Sequence, residues 1–150
     1  KAQAGQPIVG YEVPRKTILV ADDGWENCSV LTNLLQPLGF TVIEARNGRE
    51  AVERAIEHQP DLILLDLVMP YLDGYGALRQ LRANVATQRT RLFAFSAKVF
   101  EQDRQRSQQA GFDDFVPKPV DLDALLTKIS QHLNLTWQFR TDGPAVATVN

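Results

Sequence analysis

Thr17-Ile18-Leu19-Val20-Ala21-Asp22-Asp23 sets a short apolar run directly against two carboxylates. The run is too short for a helix and is rich in side chains that suit a pleated surface, so it reads as a buried strand ending where charge begins. Four more runs of this kind follow: Thr41 to Ala45, Leu62 to Leu65, Leu92 to Ser96, and Phe115 to Val116. Between them the apolar residues recur at helical spacing. Val30, Leu31, Leu34, Leu35 and Leu38 form one such set, Ala51, Val52, Ala55 and Ile56 another, and Leu122, Leu125, Leu126, Ile129 and Leu133 a third. Asn47 with Glu50 three residues on predicts a capping box, and Asp121 predicts an N-cap for the last helix. Strand alternating with helix favours a parallel sheet covered on both faces, a doubly wound α/β domain with five strands and five helices. The domain is expected over 15–134. Segments 1–14 and 135–150, rich in Gly, Pro, Ala and Thr, read as linker or tail.

A chain of 150 residues with 44% apolar composition supports one core and not two. A formal charge of −2 supplies no general field for nucleic acid, so direct nucleic-acid binding is not expected. The single cysteine, Cys28, permits neither a disulfide framework nor a thiolate metal site, which suits a reducing cytoplasm. No apolar run approaches the roughly 20 residues needed to cross a bilayer, so no membrane contact by this domain is expected. A start at Lys1 rather than methionine suggests a piece of a longer polypeptide.

In doubly wound sheets the ligand crevice lies beyond the carboxyl ends of the strands. Here those ends carry Asp22 and Asp23, Asp66, Ser96, and Lys118 with Pro119. Neighbouring strands lie about 4.8 Å apart, so these ends span roughly 15 Å and their side chains can converge. Three carboxylates brought so close repel, and they need a cation or a proton. Oxygen donors without His or Cys select magnesium, with manganese as a substitute. Each residue alone has a plainer explanation, as a solvated acid, a turn serine or a surface lysine. Their joint placement on successive strand ends is what chance does not readily supply.

These residues resemble the receiver domains of bacterial two-component response regulators. The match runs through Ile18-Leu19-Val20-Ala21-Asp22-Asp23, Asp66-Leu67-Val68-Met69-Pro70 with Asp73-Gly74, Phe95-Ser96-Ala97, and Val116-Pro117-Lys118-Pro119. The resemblance implies a flavodoxin-like fold with strand order 2-1-3-4-5. It further implies a phosphoacceptor at Asp66, and magnesium held by Asp23, Asp66 and the carbonyl of Val68, with Asp22 acting through water. Ser96 and Lys118 would hold the phosphoryl oxygens, and no organic cofactor is implied. Ser96 and Phe115 would act as switch residues that reshape the surface of the fourth helix, fifth strand and fifth helix. Lys118-Pro119 is expected to be a cis bond. The implied partner is a histidine kinase phosphodonor domain, in the same polypeptide or another, or a histidine phosphotransfer protein.

Gly24 stands where receivers more often carry a larger side chain, which predicts a looser helix start and a wider pocket. Val68 and Lys98 are expected to border that pocket. Cys28 and Trp25 read as packing residues, Arg104 and Arg106 as a solvated face, and His58 and His132 as helix-end residues. A phosphatase of the haloacid-dehalogenase type needs an acid where Val68 stands. Flavodoxin and dinucleotide sites need Ser-, Thr- or Gly-rich loops where this chain is acidic. Val9 to Arg15 is similar to the segment that leads into the C-terminal receiver of hybrid histidine kinases. A free-standing response regulator and a non-phosphorylated pseudo-receiver are the alternatives.

Overall fold

The computed structural model describes residues 7–12 and 15–139. Its elements in chain order are β1 (Ile8–Tyr11), β2 (Thr17–Ala21), α1 (Trp25–Leu35), β3 (Thr41–Ala45), α2 (Gly48–His58), β4 (Leu62–Asp66), α3 (Gly74–Ala83), β5 (Arg91–Ser96), α4 (Glu101–Ala110), β6 (Asp114–Pro117), α5 (Leu122–Leu133) and β7 (Trp137–Phe139). A 3₁₀ turn, Gln36–Leu38, closes α1, because Pro37 has no N–H with which to continue the helix. The expected doubly wound sheet is present. Its strand order is β3-β2-β4-β5-β6, and every pairing is parallel.

Alternation along each strand divides the core into two layers. Ile18, Val20, Leu62, Leu64, Phe93, Phe95 and Val116 pack with Cys28, Leu31 and Leu35 of α1 and Leu125, Leu126 and Ile129 of α5. Leu19, Ala21, Ile63, Leu65, Leu92, Ala94 and Phe115 pack with Ala51, Val52 and Ala55 of α2 and Ala77, Leu78 and Leu81 of α3. All five residues of the central strand β4 are buried, which accounts for an unbroken apolar run there rather than an alternating one. Both predicted N-caps form, the Glu50 N–H donating to Asn47 Oδ1 at 2.8 Å and the Ala124 N–H to Asp121 Oδ1 at 3.3 Å. The capping box is only half made: Glu50 Oε1 accepts from the Arg46 N–H at 2.8 Å, one residue before the cap.

Two readings of the sequence need correction. The segments expected to be linker hold an antiparallel pair, β1 with β7, in which Ile8 faces Phe139 and Tyr11 faces Trp137. Composition hid this pair because each strand is only three or four residues long; what fixes them is aromatic packing. Tyr11 and Trp137 close on Phe40, with ring centroids 4.5 Å and 6.4 Å from it. Tyr11 Oη also accepts from the Lys16 N–H at 2.6 Å and donates to the Gly39 carbonyl at 3.1 Å. The second correction is Trp25, expected to pack but 61% exposed. It opens α1 just past the end of β2, where the sheet no longer lies beneath the helix to cover it.

Candidate functional site

Parallel register carries the ends of β2, β4, β5 and β6 to one edge. Ala21 pairs with Leu65, Asp66 with Phe95, and Ser96 with Pro117, so Asp22 and Asp66 come level at neighbouring strand ends. Carboxylate oxygens of Asp22, Asp23 and Asp66 lie within 4.8 Å of one another. Asp22 and Asp66 are buried and Asp23 is exposed, so the cluster opens to solvent on one side.

Lys118 Nζ bridges the buried pair, 2.6 Å from Asp22 Oδ2 and 3.2 Å from Asp66 Oδ2. Its other side lies 4.7 Å from the centre of the Phe95 ring. Burial works against the ammonium, but the two carboxylates outweigh it and hold the lysine above its ordinary range. Asp66 moves the opposite way for an acid: burial, then repulsion from Asp22, push its carboxyl up, against the Val68 N–H and Lys118. That Val68 N–H donates to Asp66 Oδ1 at 3.1 Å. Lys118-Pro119 is cis, as expected.

The loop after Asp66 is folded back tightly on the strand. The Gly74 N–H donates to the Leu67 carbonyl at 3.1 Å, and a Cβ at Gly74 would lie 2.4 Å from the Asp66 carbonyl oxygen. Only glycine fits there, and Asp73 beside it caps α3 through the Gly76 N–H at 2.8 Å. Tyr71, at the tip of this loop, has φ +68 and is 81% exposed.

Ser96 ends β5 with its hydroxyl buried, but the oxygen accepts from the Lys98 N–H at 3.0 Å instead of reaching the carboxylates. Phe115 is buried in the core with the Arg104 guanidinium 4.8 Å over its ring. Arg106 stacks 4.4 Å over Tyr75. These two arginines, expected as a solvated face, therefore cover aromatic surface. His132 pairs with Asp114 at 3.1 Å and lies edge-on to Phe93, while His58 meets only Glu57. Cys28 is buried, and loss of hydration with the nearby Glu44 carboxylate pushes its thiol up to about 11, so it is no nucleophile.

Sequence reasoning missed two contacts to Asp22. Asn27 Nδ2 donates to Asp22 Oδ2 at 3.1 Å, and the Gly24 N–H donates to Asp22 Oδ1 at 2.8 Å. An asparagine in a first helical turn is too common to signal this.

Residues 18–130 match the model of the response regulator receiver domain. The chain belongs to this family. The receiver is 35% identical to the protein PilH of Pseudomonas aeruginosa over 113 residues, covering 75% of this chain and 93% of PilH. It is 28% identical to the polar-differentiation response regulator DivK of Brucella anthropi, covering 79% and 96%. Among solved structures, the receiver domain of a sensor histidine kinase from Pseudomonas aeruginosa, with magnesium coordinated in its active-site cleft, superimposes with a TM-score of 0.74 at 31% identity, covering 81% of this chain and 99% of that one. The signal receiver domain of a histidine kinase from Syntrophus aciditrophicus gives 0.72 at 30% identity, covering 79% and 90%. The receiver fold and a role in two-component signalling are thereby established. Within that fold the acidic cluster sits at the carboxyl edge of the sheet.

Proposed function

We propose that this receiver takes a phosphoryl group from a histidine kinase or a phosphotransfer protein onto Asp66. The observation that carries this reading is Lys118 Nζ held between the two buried carboxylates of the acidic cluster, Asp22 and Asp66. In the transfer, the phosphorus–nitrogen bond of a donor phosphohistidine breaks, a carboxylate oxygen of Asp66 bonds to phosphorus, and the imidazole leaves as the neutral base after taking a proton. The donor set suits magnesium: three carboxylates within 4.8 Å of one another, all hard oxygen, with one lysine to offset them. Asp23, Asp66 and the Val68 carbonyl would hold the ion, and Asp22, whose oxygens already accept from Lys118, Asn27 and Gly24, would act through water. Bound there, it supplies neutralisation of charge on the phosphoryl oxygens. Lys118 offers the same oxygens a mobile point charge, and the Ser96 hydroxyl a hydrogen bond once it turns from Lys98.

The new dianion draws Ser96 and Lys118 toward Asp66, and the shift reaches Phe115 and the surface of α4, β6 and α5, from which partners read the state. The five retained residues Asp22, Asp23, Asp66, Ser96 and Lys118 argue against a pseudo-receiver. We place the domain in a hybrid histidine kinase in the cytoplasm, supported by the likeness to two histidine kinase receivers and by the segment leading into β2. PilH and DivK, matched over nearly their whole length, support a free-standing regulator instead. The sequence of the complete gene decides between the two.

Incubation with acetyl phosphate or phosphoramidate and magnesium is expected to add one phosphoryl group by intact mass, and none in Asp66→Asn. Undiminished labelling of that variant would overturn the assignment.

A further inference from the structure

Asp22, on the buried side of the cluster, is held by three donors. Lys118 Nζ and Asn27 Nδ2 both donate to its Oδ2, at 2.6 Å and 3.1 Å, and the Gly24 N–H donates to its Oδ1 at 2.8 Å. Two of these contacts come from the start of α1, and they are linked. A Cβ built on Gly24 would lie 3.3 Å from Asn27 Nδ2 and 3.3 Å from Asp22 Oδ1, so each would have to give by a few tenths of an ångström. Gly24 thus keeps this hydrogen bond free of crowding.

We infer that Asn27 is a positioning residue for the acidic pair, left uncrowded by Gly24, and that it keeps the Asp22 carboxylate oriented when Lys118 leaves it. The inference rests on the reading of this cluster as a magnesium site. Lys118 is charged and close, but it is the group that must move when phosphate arrives, and Asp22 then loses its strongest partner. Asn27 is neutral and anchored on the first turn of α1, so it has no charge to transfer to phosphate. It stays, and Asp22 keeps the orientation in which it meets a metal-bound water. Partners of a metal's direct ligands typically change affinity by about 10- to 100-fold when removed; Asp22, acting through water, is such a partner, and Asn27 stands one step further out, so its effect is smaller.

The test is a double-substitution cycle on the whole chain: wild type, Asn27→Ala, Gly24→Ala and the pair. Magnesium alone is titrated, followed by the fluorescence of the exposed Trp25 beside the cluster and by the amide resonance of Gly24, with thermal unfolding recorded for each protein. Asn27→Ala is expected to weaken magnesium binding about threefold, below the range for a direct ligand's partner, while the metal-free unfolding temperature stays within about a degree of wild type. Gly24→Ala is expected to weaken binding in the wild-type background and to cost less once Asn27 is gone, because part of its harm falls on that amide and the rest on Asp22 Oδ1 directly. Additive losses in the double variant overturn the linkage, and unchanged affinity in Asn27→Ala overturns the positioning role. Loss of affinity that tracks a loss of unfolding temperature overturns it too, by showing a structural effect only. If wild type itself binds no magnesium, the metal reading falls and takes this inference with it; failure in the variants alone leaves that reading standing.

Discussion

Asp66 is a residue whose ionised form is costly to the fold. Burial comes first and repulsion from Asp22 after it, and together they raise its carboxyl above the range it has in an unfolded chain. The folded state therefore holds the proton more tightly, and stability falls as pH rises from the unfolded pKa through the folded one. Asp66→Asn removes the charge permanently. The variant is expected to unfold a few degrees higher than wild type at neutral pH without metal, with the gain shrinking as pH falls into the acid range. Magnesium reverses the order, since a ligand that binds only the folded state stabilises wild type alone. Melting curves at two pH values, with and without magnesium, check both halves; a variant less stable than wild type under every condition would refute the account. Lys118 behaves oppositely. Its raised pKa keeps its contribution intact through neutrality and loses it only in strong alkali.

α4 is attached differently from the other helices. α1, α3 and α5 set leucines into the core and α2 sets Val52 with two alanines, whereas α4 buries only Ser107. Its grip comes from guanidinium groups over rings, Arg104 on Phe115 and Arg106 on Tyr75. Such contacts are worth about 0.5–1 kcal/mol at exposed sites, well below a buried leucine. Amide exchange is therefore expected to be fastest in α4 among the five helices, and Arg104→Gln is expected to speed it about threefold with α5 unchanged. Equal protection of α4 and α5 would show that the arginines are not the weak point. The same contrast explains what the sequence revealed of the elements. β2 and β4 were legible because burial on both faces forces continuous apolar runs, and α2 and α5 because apolar residues recur at helical spacing beside clear caps. The attachment of α4 was not, since a polar helix held by arginines carries no apolar period to read.

At the scale of the whole molecule, the acidic cluster was legible because parallel register compels Asp22, Asp66, Ser96 and Lys118 onto one edge. The Asn27 contact and the β1–β7 ribbon were not, because one comes from an asparagine in a first helical turn, too common to stand out, and the other depends on rings far apart in sequence. The ribbon nonetheless joins the main core through Trp137, which is 7% exposed among Tyr11 and Phe40. Trp137→Ala is expected to lower stability by about 3 kcal/mol, at the low end for a buried aromatic because a three-residue strand can fray to fill the space. Urea unfolding measures this, and a loss below about 0.5 kcal/mol, the scale of a surface change, would place the ribbon outside the cooperative unit. The pairing of Ile8 with Phe139 has a mechanical consequence. Tension applied at these two residues pulls the strands apart sideways, breaking one hydrogen-bonded pair at a time instead of shearing them all together. The ribbon would yield first, as a fuse, while the parallel sheet and its acidic edge lie outside the line of force.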